Sequence, residues 1–155
     1  MQNLIFLPGK PTGPINTLFQ QYFKRLQHYG RFEVNFLKDP GYKAGGRQTL
    51  EQYLEKCSSE ILKRLPENSY WIVLDEKGRR MNSSEFAFFF DSLKNRKRVC
   101  WILGGAYGLS FEMKKKADLL FSLSTMTLTH EIAFIILLEQ IFRVQKKLRN
   151  EDYDK

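Results

Sequence analysis

Five short apolar runs divide the chain, at residues 4–7, 32–37, 70–74, 99–103 and 119–123. Each is the length of a buried strand and is rich in Val, Ile, Leu and Phe. Between and after them, apolar residues recur at helical spacing over 15–26, 50–65, 85–93, 111–117 and 130–148. Strands alternating with helices predict a single α/β domain built on a mostly parallel sheet. The runs at 70–74 and 99–103 are apolar almost throughout, as central strands covered on both faces should be. Asn82 with Glu85 three residues later forms a capping-box pattern, and Ser110 and Thr129 are placed to cap the two helices that follow them.

The last helical stretch is apolar nearly all round as far as Phe142, then turns basic and leads into the tail Arg149-Asn150-Glu151-Asp152-Tyr153-Asp154-Lys155. A helix of that kind is either deeply buried or shared with a second copy, and a symmetric homodimer through it is expected.

Composition narrows the class. One compact domain fits 155 residues, and a chain of this size needs no disulfide staples. Cys57 and Cys100 stand far apart, and with only His28 and His130 for company they make no metal site, so no metal is expected. The first ten residues lack a basic segment ahead of an apolar core, and the apolar run at 132–138 is too short to cross a bilayer, so a cytoplasmic protein without membrane contact is expected. The net charge is +8, with the excess clustered at Arg79-Arg80, Lys94 to Arg98, Lys114 to Lys116 and Arg143 to Arg149. Clustering of that kind suits a polyanion such as RNA, or a merely solvated basic face.

The candidate chemistry sits in three turns, each just past the carboxyl end of an expected strand: residues 74–78, 103–108 and 122–129. Ligands of open α/β sheets bind there. Gly104-Gly105-Ala106-Tyr107-Gly108 has the wrong spacing for a dinucleotide fingerprint, and Pro11 spoils the Gly9-Lys10 fragment as a P-loop. Small and hydroxyl residues with exposed main chain suit an adenine and a sulfonium better than a triphosphate. Tyr107 and Phe111 read as packing residues, Lys114 to Lys116 as a solvated helix face, and Asp75 as a turn or capping acid.

The segments LDEKGRRMNSSEFA (74–87), ILGGAYGLS (102–110) and SLSTMTLTHEIAFIILLEQIFR (122–143) together resemble the RlmH family of SPOUT methyltransferases, most strongly over residues 70–145. The resemblance implies an α/β fold with a C-terminal trefoil knot over about 70–145, followed by a substrate-facing tail, 146–155. It also implies S-adenosylmethionine as cofactor, a homodimer, and methylation of nitrogen 3 of a pseudouridine in large-subunit ribosomal RNA within the ribosome. By position, Leu74, Gly104, Gly105, Ser124, Thr125, Met126, Thr127, Leu128 and Thr129 correspond to cofactor contacts, and Gly108 to the same glycine turn. Arg143 corresponds to a substrate-side arginine, Tyr153 to a tail tyrosine, and His130 to a family histidine given a supporting role. The family tail usually reads proline, tyrosine, histidine and a basic residue, preceded by another histidine. Here both histidines and the proline are replaced, which makes Asp154 or Tyr153 the candidate acceptor of the substrate proton. A related enzyme acting on another RNA, and a noncatalytic RNA-binding module, are the alternative readings.

Overall fold

The computed structural model describes residues 1–152. Five strands, β1 (Gln2–Pro8), β2 (Arg31–Leu37), β3 (Tyr70–Arg80), β4 (Arg98–Ile102) and β5 (Leu119–Ser122), form one sheet in the order β2-β1-β4-β3-β5, and every pairing is parallel. Five helices alternate with them: α1 (Gly13–Gln27), α2 (Leu50–Leu62), α3 (Ser83–Ser92), α4 (Phe111–Lys115) and α5 (His130–Leu148). The architecture is the single-domain parallel α/β sheet that the apolar runs predict.

Period-two alternation along β1 and β4 sorts their side chains onto two covered faces. Ile5, Leu7, Val99 and Trp101 enter the larger core with Phe19 and Leu26 of α1, Phe86 and Phe90 of α3, and Phe134 to Val144 of α5. Leu4, Phe6, Cys100 and Ile102 face the other way, against Ile61 of α2, Met113 of α4 and Leu109 of the preceding turn. A buried aromatic of this kind contributes about 1.5–3 kcal/mol through area alone. A polar pair in the middle of the sheet is satisfied: Trp101 Nε1 donates to the buried Asn3 Oδ1 at 3.1 Å.

Helix starts follow the caps. Asn82 and Glu85 close a reciprocal capping box at α3, and Thr49 and Gln52 do the same at α2. Ser110 and Thr129 accept from the main-chain N–H three residues on. Two boundaries differ most from expectation. Helix α2 stops at Leu62 rather than residue 65, and β3 continues to Arg80 instead of stopping at Leu74. That extension bulges: β5 residue Phe121 faces both Leu74 and Arg79, so residues 75–78 are looped out of the ladder.

Candidate functional site

Because β4, β3 and β5 are neighbours, the three turns at their carboxyl ends meet at one edge of the sheet. After β4, Leu103 N–H donates to Phe6 O at 3.0 Å and the chain enters the glycine turn. A Cβ on Gly104 would lie 2.6 Å from the carbonyl carbon of Gly108, closer than any side chain can be placed. Gly108 has φ +79°, a conformation that favours glycine, and its N–H closes the turn onto Gly105 O at 2.9 Å. The turn is set by main chain against main chain.

The excursion of β3 forms the second wall. Gly78 lies flat on β5, where a Cβ would come 2.6 Å from Leu120 C and Phe121 N. Asp75 Oδ1 accepts from Lys77 N at 2.9 Å, and Asp75 Oδ2 is 2.6 Å from Lys114 Nζ. Desolvation is the largest influence on the Asp75 carboxyl and opposes ionisation. The Lys114 and Lys77 contacts together outweigh it and hold the group below its ordinary value. The third wall is pinned by its hydroxyls. Ser122 Oγ donates to Ser124 O at 2.8 Å, Met126 N donates to Ser124 Oγ at 2.9 Å, and Thr127 Oγ1 donates to Glu76 Oε2 at 3.3 Å.

These walls enclose a cavity of about 340 Å³, within the range of small-ligand sites. Leu74, Gly104, Gly105, Ser124, Met126, Thr127 and Leu128 all line it, as do Gly108 and His130. Thr125 and Thr129 do not. Thr125 is exposed, and Thr129 caps α5 through Ile132 N at 3.4 Å. The lining combines apolar side chains (Leu74, Leu103, Phe121, Leu128) with main-chain donors and acceptors, and its charged side chains include two acids, Asp75 and Glu76, and two lysines, Lys77 and Lys114. A purine joined to a cationic, zwitterionic head fits this set, and a triphosphate does not.

Arg143 lies elsewhere. It is ten residues further along α5 than Ala133, which also lines the cavity, and this places it ~15 Å away along the helix. There it is held by Glu139, 2.8 Å away, the i−4 ion pair that its position allows. Tyr153 and Asp154 lie outside the described residues. The residues leading to them are anchored: Glu151 Oε2 accepts from Tyr29 Oη and from Lys146 Nζ, each at 2.7 Å.

Several side chains at the site carry no local signal in the sequence. Lys114 looks like one of three equivalent lysines, yet it turns inward to Asp75 while Lys115 and Lys116 stay exposed. Behind the glycine turn, Tyr53 Oη donates to Asp39 Oδ1 at 2.8 Å and would sit 3.5 Å from a Cβ on Gly105. Burial first, and then the Asp39 hydrogen bond, push the Tyr53 hydroxyl up, keeping it a donor. Tyr107 packs edge-on against Tyr42 and Tyr53 while staying 49% exposed. Phe111, expected to pack, is 74% exposed, because α4 turns Met113 rather than its first residue into the core.

Comparison with known proteins agrees with the geometry. Residues 1–154 match the family described as Predicted SPOUT methyltransferase, and the chain belongs to the SPOUT methyltransferase family. Its curated relatives carry the name ribosomal RNA large subunit methyltransferase H. That of Syntrophotalea carbinolica is 38% identical over 131 residues, 83% of this chain and 82% of the relative. That of Pseudothermotoga lettingae is 33% identical over 150 residues, 96% of each. That of Thermotoga neapolitana is 34% identical over 154 residues, 99% of each. Among the described residues no helix is long and apolar enough to cross a membrane, and no group of His, Cys, Asp and Glu could hold a metal ion.

Proposed function

We propose that this protein transfers a methyl group from S-adenosylmethionine to nitrogen 3 of a pseudouridine in large-subunit ribosomal RNA, on the assembled ribosome in the cytoplasm. The observation that carries this reading is the convergence of the three family-like turns on one cavity at the ends of three adjacent parallel strands. In this reading residues 70–145 form the knotted cofactor unit and 146–155 the substrate tail.

When bound, S-adenosylmethionine supplies a methyl group on a sulfonium whose departing thioether is neutral and needs no acid. Leu74, Met126 and Leu128 would pack against its purine. The main chain of Gly104, Gly105, Ser124 and the run from Met126 to Leu128 would provide the hydrogen bonds. The remaining task is removal of the proton from the attacking nitrogen. Arg143 steadies the negative charge that develops on the base, and Asp154 or Tyr153 takes up the proton. A carboxyl with an ordinary pKa of about 3.9 is a weak base.

A homodimer completes the site. The cavity lies at the start of α5, and Arg143 and the tail lie toward its other end, so two copies with α5 helices side by side bring the two sets of residues together. Ile132 is 41% exposed and Ile135 and Ile136 are only half-buried, which leaves an apolar strip for that contact.

The test is transfer of labelled methyl to assembled ribosomes that lack this modification, with Asp154→His run in parallel. Label on the pseudouridine is expected from the natural sequence. Activity confined to Asp154→His would place the loss in the tail. Silence from both would favour a different RNA or a binding-only role.

A further inference from the structure

The Lys114–Asp75 pair joins two separate walls of the cavity. Asp75 stands on the looped-out part of β3, and Lys114 on α4, just beyond the glycine turn. At 2.6 Å the contact is a short charge-assisted hydrogen bond, with the Asp75 side chain 10% exposed and that of Lys114 32% exposed. Gly108 lies beside the Lys114 ammonium, which a Cβ there would meet at 3.9 Å, an ordinary contact.

Hydrogen-bonding capacity remains on both partners. An ammonium has three donors, and Asp75 engages one of them. A carboxylate has about four acceptor positions, and Lys114 Nζ and Lys77 N occupy two. The cavity's other charged groups are less suitable. Glu76 is engaged by Thr127, and Lys77 and Glu76 are both solvent-exposed.

We infer that Lys114 and Asp75 form a subsite for the α-amino-acid head of the ligand, with Lys114 receiving its carboxylate and Asp75 its ammonium. The inference rests on the S-adenosylmethionine reading above and deepens it. A zwitterion presents one negative and one positive group side by side, the complement of an ion pair already formed. Docking them adds no net charge to the cavity. Because the pair is already fixed and partly desolvated, little ordering is left for the ligand to impose. The pair therefore makes the site selective for nucleosides bearing an amino-acid head over nucleosides without one.

Two ligands separate this role from a structural one. S-adenosylhomocysteine carries the head, and 5′-methylthioadenosine shares the adenosine and thioether but lacks it. Titration calorimetry on the full chain is expected to show S-adenosylhomocysteine bound about tenfold or more tightly than methylthioadenosine, the scale of one charged hydrogen-bonding contact. Lys114→Met should reduce that preference to within about twofold while leaving methylthioadenosine affinity unchanged. Lys114→Met/Asp75→Asn, which leaves no uncompensated buried acid, should behave alike and guards against a folding defect in the single variant. A preference retained in both variants would overturn the subsite. So would an equal loss of both ligands, which marks a strut between the walls, or equal binding of both ligands by the natural sequence. Failure of the natural sequence to bind either ligand would instead remove the S-adenosylmethionine reading, and the subsite with it.

Discussion

The two ends of α5 are built in opposite ways. At its start, Thr129 caps the helix beside a cavity whose shape is fixed largely by main chain, with Gly104 on Gly108 and Gly78 on β5. At its end, Asn150 takes φ +54° and Glu151 N–H folds back onto Lys146 O at 3.0 Å, a helix-terminating reversal. Side chains then hold the reversal. Tyr29 and Lys146 both bind Glu151, and the Arg149 guanidinium lies 4.6 Å from the centre of the Tyr29 ring. The start of α5 is preorganised and unforgiving of added atoms. The far end is a charged surface clasp that positions whatever follows it. Nineteen helical residues separate the two, or ~28 Å, so ligand binding and tail placement should respond to different mutations.

The largest expected effect is at the cavity. Gly104→Ala forces a Cβ into the Gly108 main chain and should lower stability by about 1–3 kcal/mol. It should also weaken S-adenosylhomocysteine binding by about a hundredfold, since both sides of the turn must move. Gly105→Ala is the control one residue away. Its Cβ would meet Tyr53 Oη at 3.5 Å and Asp39 Oδ2 at 3.6 Å, ordinary contacts, so affinity should stay within about threefold and stability within ~0.5 kcal/mol. Thermal denaturation and calorimetry on both variants decide it. Equal behaviour of the two would mean that close main-chain packing does not shape this end.

A smaller and different effect is expected from Tyr29→Phe. Losing the hydroxyl frees Glu151 from the turn between α1 and β2 and loosens the residues that lead to Tyr153 and Asp154. The turnover number for methyl transfer should fall about tenfold, the value of one positioning hydrogen bond to a charged group. S-adenosylhomocysteine affinity should not change. If affinity fell together with turnover, the two ends of α5 would be coupled within one chain rather than independent.

All ten elements were legible in the sequence because each announces itself locally, strands by apolar runs and helices by caps such as Asn82 and Thr129. The three turns were legible as well, since glycine and hydroxyl residues collect where main chain is exposed. Features that depend on tertiary placement were hidden. The second half of β3 carries Lys77, Arg79 and Arg80, which give no apolar signal, and Arg79 and Arg80 pair with β5 only because Gly78 permits the approach. Lys114 is distinguished from Lys115 and Lys116 only by how its short helix sits on the sheet. Asp39 and Tyr53 meet across fourteen residues, and no local pattern marks them.

The smallest effect sharpens the contrast through pH and salt. Asp75 and Glu151 are both held below the ordinary carboxylate value. Opposing desolvation, Asp75 is lowered by Lys114 and Lys77, whereas Glu151 is lowered by Lys146 and then Tyr29. A carboxyl lowered on folding contributes stability that is present above its unfolded value, about 3.9 for Asp. That contribution is lost as pH falls through the folded value. The advantage of the natural sequence over Asp75→Asn should therefore be constant above about pH 5 and vanish in strong acid, because the protonated carboxyl then resembles the amide. Urea midpoints at several pH values measure it. Added salt separates the ends of α5. At about 1 M salt the screening length is ~3 Å, enough to erase the exposed Glu151 contribution. The Asp75 pair, with the acid only 10% exposed, should keep most of its own. An Asp75 advantage that disappears in salt as readily as that of Glu151 would mean that the cavity end is as open to water as the clasp.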